Sequence, residues 1–259
     1  MALPSGWSGT GRKTIESGQS WLHQARRDGD DALYALKRCK NKRRAGRFSR
    51  EVETMQTLRT SGIAVPEIMA FDLDGERPWF AMPWFEEGSL EAAVKEKRFD
   101  GDIVGRLRML RALSSILSDV HDADVAHRDL KLGNVLLDGE ELQLTDFGLC
   151  LDVPEDPGDA DRLTATDEAV GSRHYIAPEN ESGFNLATDQ RPADFYAFGK
   201  VVSALLAGRD ALPRERVIHL SQVAPWLRHF GARGGGRLEP LRRDRAWEGA
   251  AVGGRWGSG

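Results

Sequence analysis

His127-Arg128-Asp129-Leu130-Lys131-Leu132-Gly133-Asn134 is the stretch on which the reading of this chain turns, with Asp146-Phe147-Gly148 and Ala177-Pro178-Glu179 downstream of it. Asp129 and Lys131 stand two positions apart, Asn134 follows three later, and Asp146 twelve after that. A carboxylate, an ammonium, an amide and a second carboxylate are thus set out in order. Asn134 and Asp146 are hard oxygen donors, the kind that Mg2+ takes.

Around this stretch lie 259 residues, a length that suits two lobes around a cleft. With 40% hydrophobic and 29% charged residues, the composition is that of an ordinary globular protein. A net charge of -4 gives no overall basic field, so nucleic acid is not an expected partner. Two cysteines, Cys39 and Cys150, are too few for a disulfide framework or a zinc site, which leaves free thiols in a reducing compartment. No apolar run reaches the roughly eighteen residues of a membrane span. Met1-Ala2-Leu3-Pro4-Ser5-Gly6-Trp7 lacks the layout of a signal peptide. A cytoplasmic protein is expected.

Patterning divides the chain. Residues 1–10 are rich in Gly and Ser and are expected to be disordered. Trp21 to Ala25, a polar turn at Asp28-Gly29-Asp30-Asp31, and Ala32 to Arg38 read as strand, turn, strand. Phe48, Val52, Met55 and Leu58 recur at helical spacing between Arg47 and Thr60. Val65 to Phe71 and Trp79 to Met82 read as further strands. Then helices take over: Ser89 to Lys97, Asp102 to His121 with Leu107, Leu110, Leu113, Ile116, Leu117 and Val120 on one face, and Ala193 to Ala207. Strands first and helices afterwards predict an α+β, two-lobed fold. A β-rich N-lobe is expected over 11–85, a mainly helical and incomplete C-lobe over 86–230, and a Gly- and Arg-rich, disordered tail over 231–259.

These motifs, in this order, resemble the signature set of the protein kinase superfamily over about residues 12–210. His-Arg-Asp-Leu-Lys-x-x-Asn is most similar to its serine/threonine members, bacterial ones included. The resemblance implies that Asp129 accepts or orients the proton of a substrate hydroxyl, and that Lys131 sets a cation near the transferred phosphate. It makes Asn134 and Asp146 the metal ligands. Tyr34-Ala35-Leu36-Lys37 resembles the strand whose lysine holds the α and β phosphates, with Glu51 as its partner on the following helix. Ala35 and Leu136 would sandwich the adenine, and Met82 would stand behind it. Pro83 has no N–H to give, so a backbone donor must come from Trp84 or Phe85, and Phe85 fits the family position. Thr164 and Thr166 correspond to activation-loop phosphosites, which Arg128 would pair with. Glu179 and Asp194 are expected to be structural, as are His127 and Phe147. The implied cofactors are ATP and Mg2+, or Mn2+ in its place, and the implied partners are ATP and proteins bearing Ser or Thr.

Two departures accompany the resemblance. The Gly-rich loop reads Ile15-Glu16-Ser17-Gly18-Gln19-Ser20-Trp21-Leu22, so only Gly18 remains, between the positions that would be glycine. Side chains there limit how closely backbone N–H groups approach phosphate. Glu179 would need an arginine partner late in the chain, and Arg242, Arg243 and Arg245 stand in place of the family's Arg-Pro setting. Two function classes therefore stay open: a serine/threonine protein kinase, and a nucleotide-binding pseudokinase or scaffold. A small-molecule phosphotransferase is a third reading, against which Arg128 and Ala177-Pro178-Glu179 both count.

Overall fold

A computed structural model describes residues 3–16, 20–40, 45–148, 174–180 and 189–208. Its N-terminal sheet holds β1 (Trp7–Gly9), β2 (Ile15–Glu16), β3 (Ser20–Arg27), β4 (Tyr34–Cys39), β5 (Ala70–Asp72) and β6 (Trp79–Pro83). All pairings are antiparallel, in the order β1-β3-β4-β6-β5, with β2 also on β3. The turn from β3 to β4 is built as its polar residues suggest. Gly29 takes φ +79°, and the Asp30 carboxylate accepts from the Ala32 N–H and the Tyr34 hydroxyl.

The first ten residues differ from expectation. Trp7–Gly9 is a strand rather than disordered chain, because Trp7 meets Tyr34 and Trp79 edge-on with ring centroids 5.3 and 5.7 Å away. Gly9 pairs with Ala25 and Ile15 with Leu22, so residues 10–14 bulge out opposite His23 and Gln24. Thr10 bonds the Gln24 side chain at 2.7 Å and Thr14 the His23 ring at 3.0 Å, which fasten the bulge at both ends. The strand expected from Val65 is confined to Ala70–Asp72. Pro66 has no N–H for a ladder and sits in the preceding loop.

Helix α1 (Ala45–Thr60) buries Phe48, Glu51, Val52, Met55 and Leu58. Gly62 ends it at φ +79°, with the Ile63 N–H returning to the Leu58 carbonyl at 3.0 Å. In the second lobe, Ser89 caps α2 (Leu90–Lys95) and Asp102 caps α3 (Ile103–Asp122), each side chain accepting from an N–H three residues on. A 3-10 turn, Leu132–Asn134, leads into the ribbon of β7 (Val135–Asp138) and β8 (Glu141–Leu144). Helix α4 (Arg191–Ala207) packs on α3 through Ala197, Val201, Ala204 and Leu205, and Gly208 stops it at φ +64°. Leu110, Leu113, Leu117, Leu144 and Phe147 belong to the same buried cluster as Phe80 and Met55, so one core runs from sheet to helices. Among the described residues, no helix is long and apolar enough to cross a membrane.

If the packing of Trp7 holds β1 in the sheet, Trp7→Ala should lower unfolding stability by about 2 kcal/mol in urea titrations. An unchanged midpoint would return residues 3–10 to the status of a loose end.

Candidate active site

Strand β4 aims alternate side chains to one face, so Ala35, Lys37 and Cys39 share it. Glu51 lies on the buried stripe of α1, four residues before Met55. The two elements bring the Lys37 ammonium 2.6 Å from Glu51 Oε1 and 3.0 Å from Asp146 Oδ1. The Phe48 and Phe80 rings also lie within 6 Å of the Lys37 ammonium, at 5.8 and 5.6 Å.

One cation here faces two carboxylates. Burial pulls the Lys37 pKa down, but Asp146 and Glu51 overcome it and raise it. Glu51 is almost wholly enclosed. Burial pushes its pKa up, Lys37 pulls it down, Asp146 pushes again, and it reaches about 7. Partial burial raises Asp146 as well, yet Lys37 and then Lys131 outweigh it and hold that carboxyl below its ordinary range. Of the two acids, Asp146, the more exposed, is thus made the stronger and Glu51, the more deeply buried, the weaker.

Asp129 sits in a second cluster. Its Oδ2 accepts from Lys131 Nζ at 2.9 Å and from Asn134 Nδ2 at 3.0 Å, and its backbone carbonyl accepts from the same amide at 2.7 Å. Asn134 therefore spends its nitrogen on Asp129 and keeps Oδ1 as an oxygen donor. The Thr145 N–H reaches the Asn134 carbonyl at 2.9 Å, which ties this loop to the residue just before Asp146. Asp129 thus faces donors, while Asp146 and Asn134 are brought near one another by the β8 exit.

The loop is braced from α4. Asp194, 1% exposed, accepts from the N–H groups of His127 and Arg128 at 2.7 Å each and from His121 Nε2 at 2.9 Å. Arg128 has φ +65°, a conformation that a non-glycine residue adopts only when its surroundings enforce it. His127 donates through Nε2 to the Thr145 carbonyl at 3.0 Å, and its Nδ1 accepts from the Asp129 N–H at 3.2 Å. Its ring also meets Phe147 at 4.8 Å. Both His127 and Phe147 are buried.

Ala35 and Met82 are direct cross-strand neighbours, and Thr145 Oγ1 lies 3.9 Å from the Met82 sulfur. Leu136, half-buried on β7, stands on the other lobe. The Trp84 N–H is committed to the Leu33 carbonyl at 2.9 Å, which leaves Phe85 as the next hinge N–H. Gly18, Thr164 and Thr166 lie outside the described residues, as do the side chain of Glu179 and Arg242, Arg243 and Arg245. Sequence reasoning gave no site role to His121 or Thr145. For His121 the signal was a histidine ending an apolar helix face after Leu113, Leu117 and Val120.

Two outcomes follow from this geometry. Asp194→Ala leaves two buried N–H groups and an imidazole unpaired, and should cost about 3 kcal/mol or more in denaturant unfolding. For Glu51 the folded state holds the proton more tightly than the unfolded chain. Stability relative to Glu51→Gln should therefore be at its full value at and below the ordinary 4.5 and be lost as pH rises from there through about 7. Paired thermal melts at several pH values read that difference, and a constant offset between the two proteins would contradict it.

The comparisons agree with the geometry. The family model described as protein kinase domain matches residues 16–226. A probable serine/threonine-protein kinase of Arabidopsis thaliana is 29% identical over 201 residues, covering 76% of this chain and 50% of that protein. The DNA damage-responsive serine/threonine-protein kinase RqkA of Deinococcus radiodurans is 32% identical, over 62% of this chain and 23% of its own length. The probable serine/threonine-protein kinase PkwA of Thermomonospora curvata is 29% identical, over 63% and 21%. The chain thus spans half or less of these relatives. With its strand-rich first lobe, helical second lobe and paired clusters around Lys37 and Asp129, this chain belongs to the protein kinase domain family.

Proposed function

We propose that this chain transfers the γ-phosphate of MgATP to serine and threonine hydroxyls of protein substrates. The observation that carries this reading is the state of the Asp129 carboxylate. Its Oδ2 is pinned by Lys131 and Asn134, and Oδ1 has no hydrogen-bond partner among the described residues. A carboxylate held in orientation with one oxygen open is equipped to receive a hydroxyl proton as oxygen attacks phosphorus.

Phosphoryl transfer is mostly positioning and charge neutralisation. Lys37, kept cationic by two carboxylates, would hold the α and β phosphates. Asn134 Oδ1 and the Asp146 carboxylate form a hard-oxygen donor set that fits Mg2+, and they would hold it. The metal, when bound, neutralises charge on the nucleotide phosphates. Lys131, beside Asp129, is suited to the charge on the group in transit. Ala35 and Leu136 would enclose the adenine, Met82 would back it, and the Phe85 N–H would meet the base edge. Thr164 and Thr166 are proposed autophosphorylation sites whose phosphates Arg128 would pair with, and Glu179 is proposed as a structural carboxylate. Dependence on cellular ATP makes the cytoplasm the fitting compartment. The pseudokinase reading has less support, because Lys37, Glu51, Asp129, Asn134 and Asp146 are all present and mutually placed.

The purified chain should transfer radiolabelled phosphate from ATP to a generic basic protein, with label on Ser and Thr and none on Tyr. Asp129→Ala should reduce transfer by about 10²- to 10⁴-fold, the value of a general base, while nucleotide binding persists. Equal labelling by that variant would refute the assignment.

A further inference from the structure

Between Thr10 and Thr14, whose side chains fasten the bulge to Gln24 and His23, Gly11 turns the backbone at φ +81°, a left-handed conformation suited to glycine. Arg12 follows that turn, and its guanidinium lies over the Trp84 ring, 5.1 Å from the centroid. Arg12 forms no hydrogen bond and no ion pair among the described residues, so the stacking on Trp84 is what holds its side chain. Gln24, to which the bulge is fastened, is in turn the cross-strand neighbour of Ala35 on β4. The bulge is therefore tied both to the strand over the proposed adenine site and to the hinge beside it.

Trp84 depends on such a contact. Its backbone N–H is spent on the Leu33 carbonyl at 2.9 Å, while its indole N–H is buried and finds no acceptor among the described residues. No hydrogen bond therefore sets the orientation of the ring. Packing against the core and the guanidinium over its face hold it instead. A ring that turned would carry the hinge backbone with it, and the next N–H along, that of Phe85, is the proposed donor to the base edge. We propose that Arg12 is a positioning residue for nucleotide binding, which acts through Trp84 to fix the Phe85 N–H. The inference rests on the proposed nucleotide site and adds to it a residue that lies ahead of the Gly-rich loop. Contacts at the base weigh more in this chain, because side chains in that loop limit how closely its backbone approaches phosphate.

The test uses the full 259-residue chain with Mg2+, and measures binding of an ATP analogue that carries a fluorescent group on the ribose, then its displacement by adenosine. Arg12→Ala should weaken both ligands about two- to fivefold, the strength of one exposed cation–π contact. Adenosine carries no phosphate, so a loss shared by the two ligands places the effect at the base and not in attraction between charges. Arg12→Lys keeps a cation that can stack, and should bring both affinities back to within about twofold of wild type. In a Trp84→Leu background, Arg12→Ala should change neither affinity further, because the ring through which it acts is gone. Wild-type affinity in Arg12→Ala, a loss confined to the charged analogue, no rescue by lysine, or the same loss in the Trp84→Leu background would each overturn the inference and leave the nucleotide site standing. A wild-type chain that binds neither ligand would overturn the nucleotide site, and the inference with it.

Discussion

A carboxylate sealed from water must be surrounded by donors or lose its charge, and Asp194 is surrounded by donors. Two backbone N–H groups and an imidazole converge on it. The same three bonds hold Arg128 in a left-handed conformation that would otherwise relax at a gain of about 1–3 kcal/mol. With Arg128 fixed, the chain leaves the turn in a set direction and Asp129 faces Lys131 and Asn134. The brace works because α4 is itself anchored on α3 by Ala197, Val201 and Leu205. The second lobe's core and its polar loop are thus one mechanical unit.

The first lobe is organised by charge. Lys37 is attached to β4, Glu51 to α1 and Asp146 to the end of β8, so a single ammonium joins three separate pieces of chain. The cluster carries one more negative charge than positive when both acids are ionised. Its balance therefore responds to anything that adds positive charge at Asp146 or phosphate at Lys37. Asp146, like Arg128, has a positive φ, at +70°. Of the four non-glycine residues with positive φ among those described, these two stand at the proposed chemistry, while Lys97 and Asp124 follow the ends of α2 and α3.

How much of this was legible in the sequence depended on how local the cause was. The loop from His127 to Asn134 and the residues around Lys37 and Asp146 could be read because their residue types and order are dictated by side-chain chemistry. The long helices could be read because Leu113, Leu117 and Val120 repeat at helical spacing, and Ser89 and Asp102 announce their starts. The strand at Trp7–Gly9 could not, since a segment of Ser and Gly has no alternation and its order comes from two aromatic partners far along the chain. His121 was equally hidden. A histidine at a helix end has many uses, and only the fold brings Asp194 to it.

The bulge at residues 10–14 extends further than a sheet edge. It swings Arg12 across to the hinge, where the guanidinium stands 5.1 Å over the Trp84 ring. The family match begins at residue 16, yet the strand before it and this stacking contact belong to the folded unit. Trimming the protein to its homologous boundaries would strip the outermost strand from the sheet and release the hinge from its clasp. The domain, as a physical object, starts earlier than the ancestry it shares.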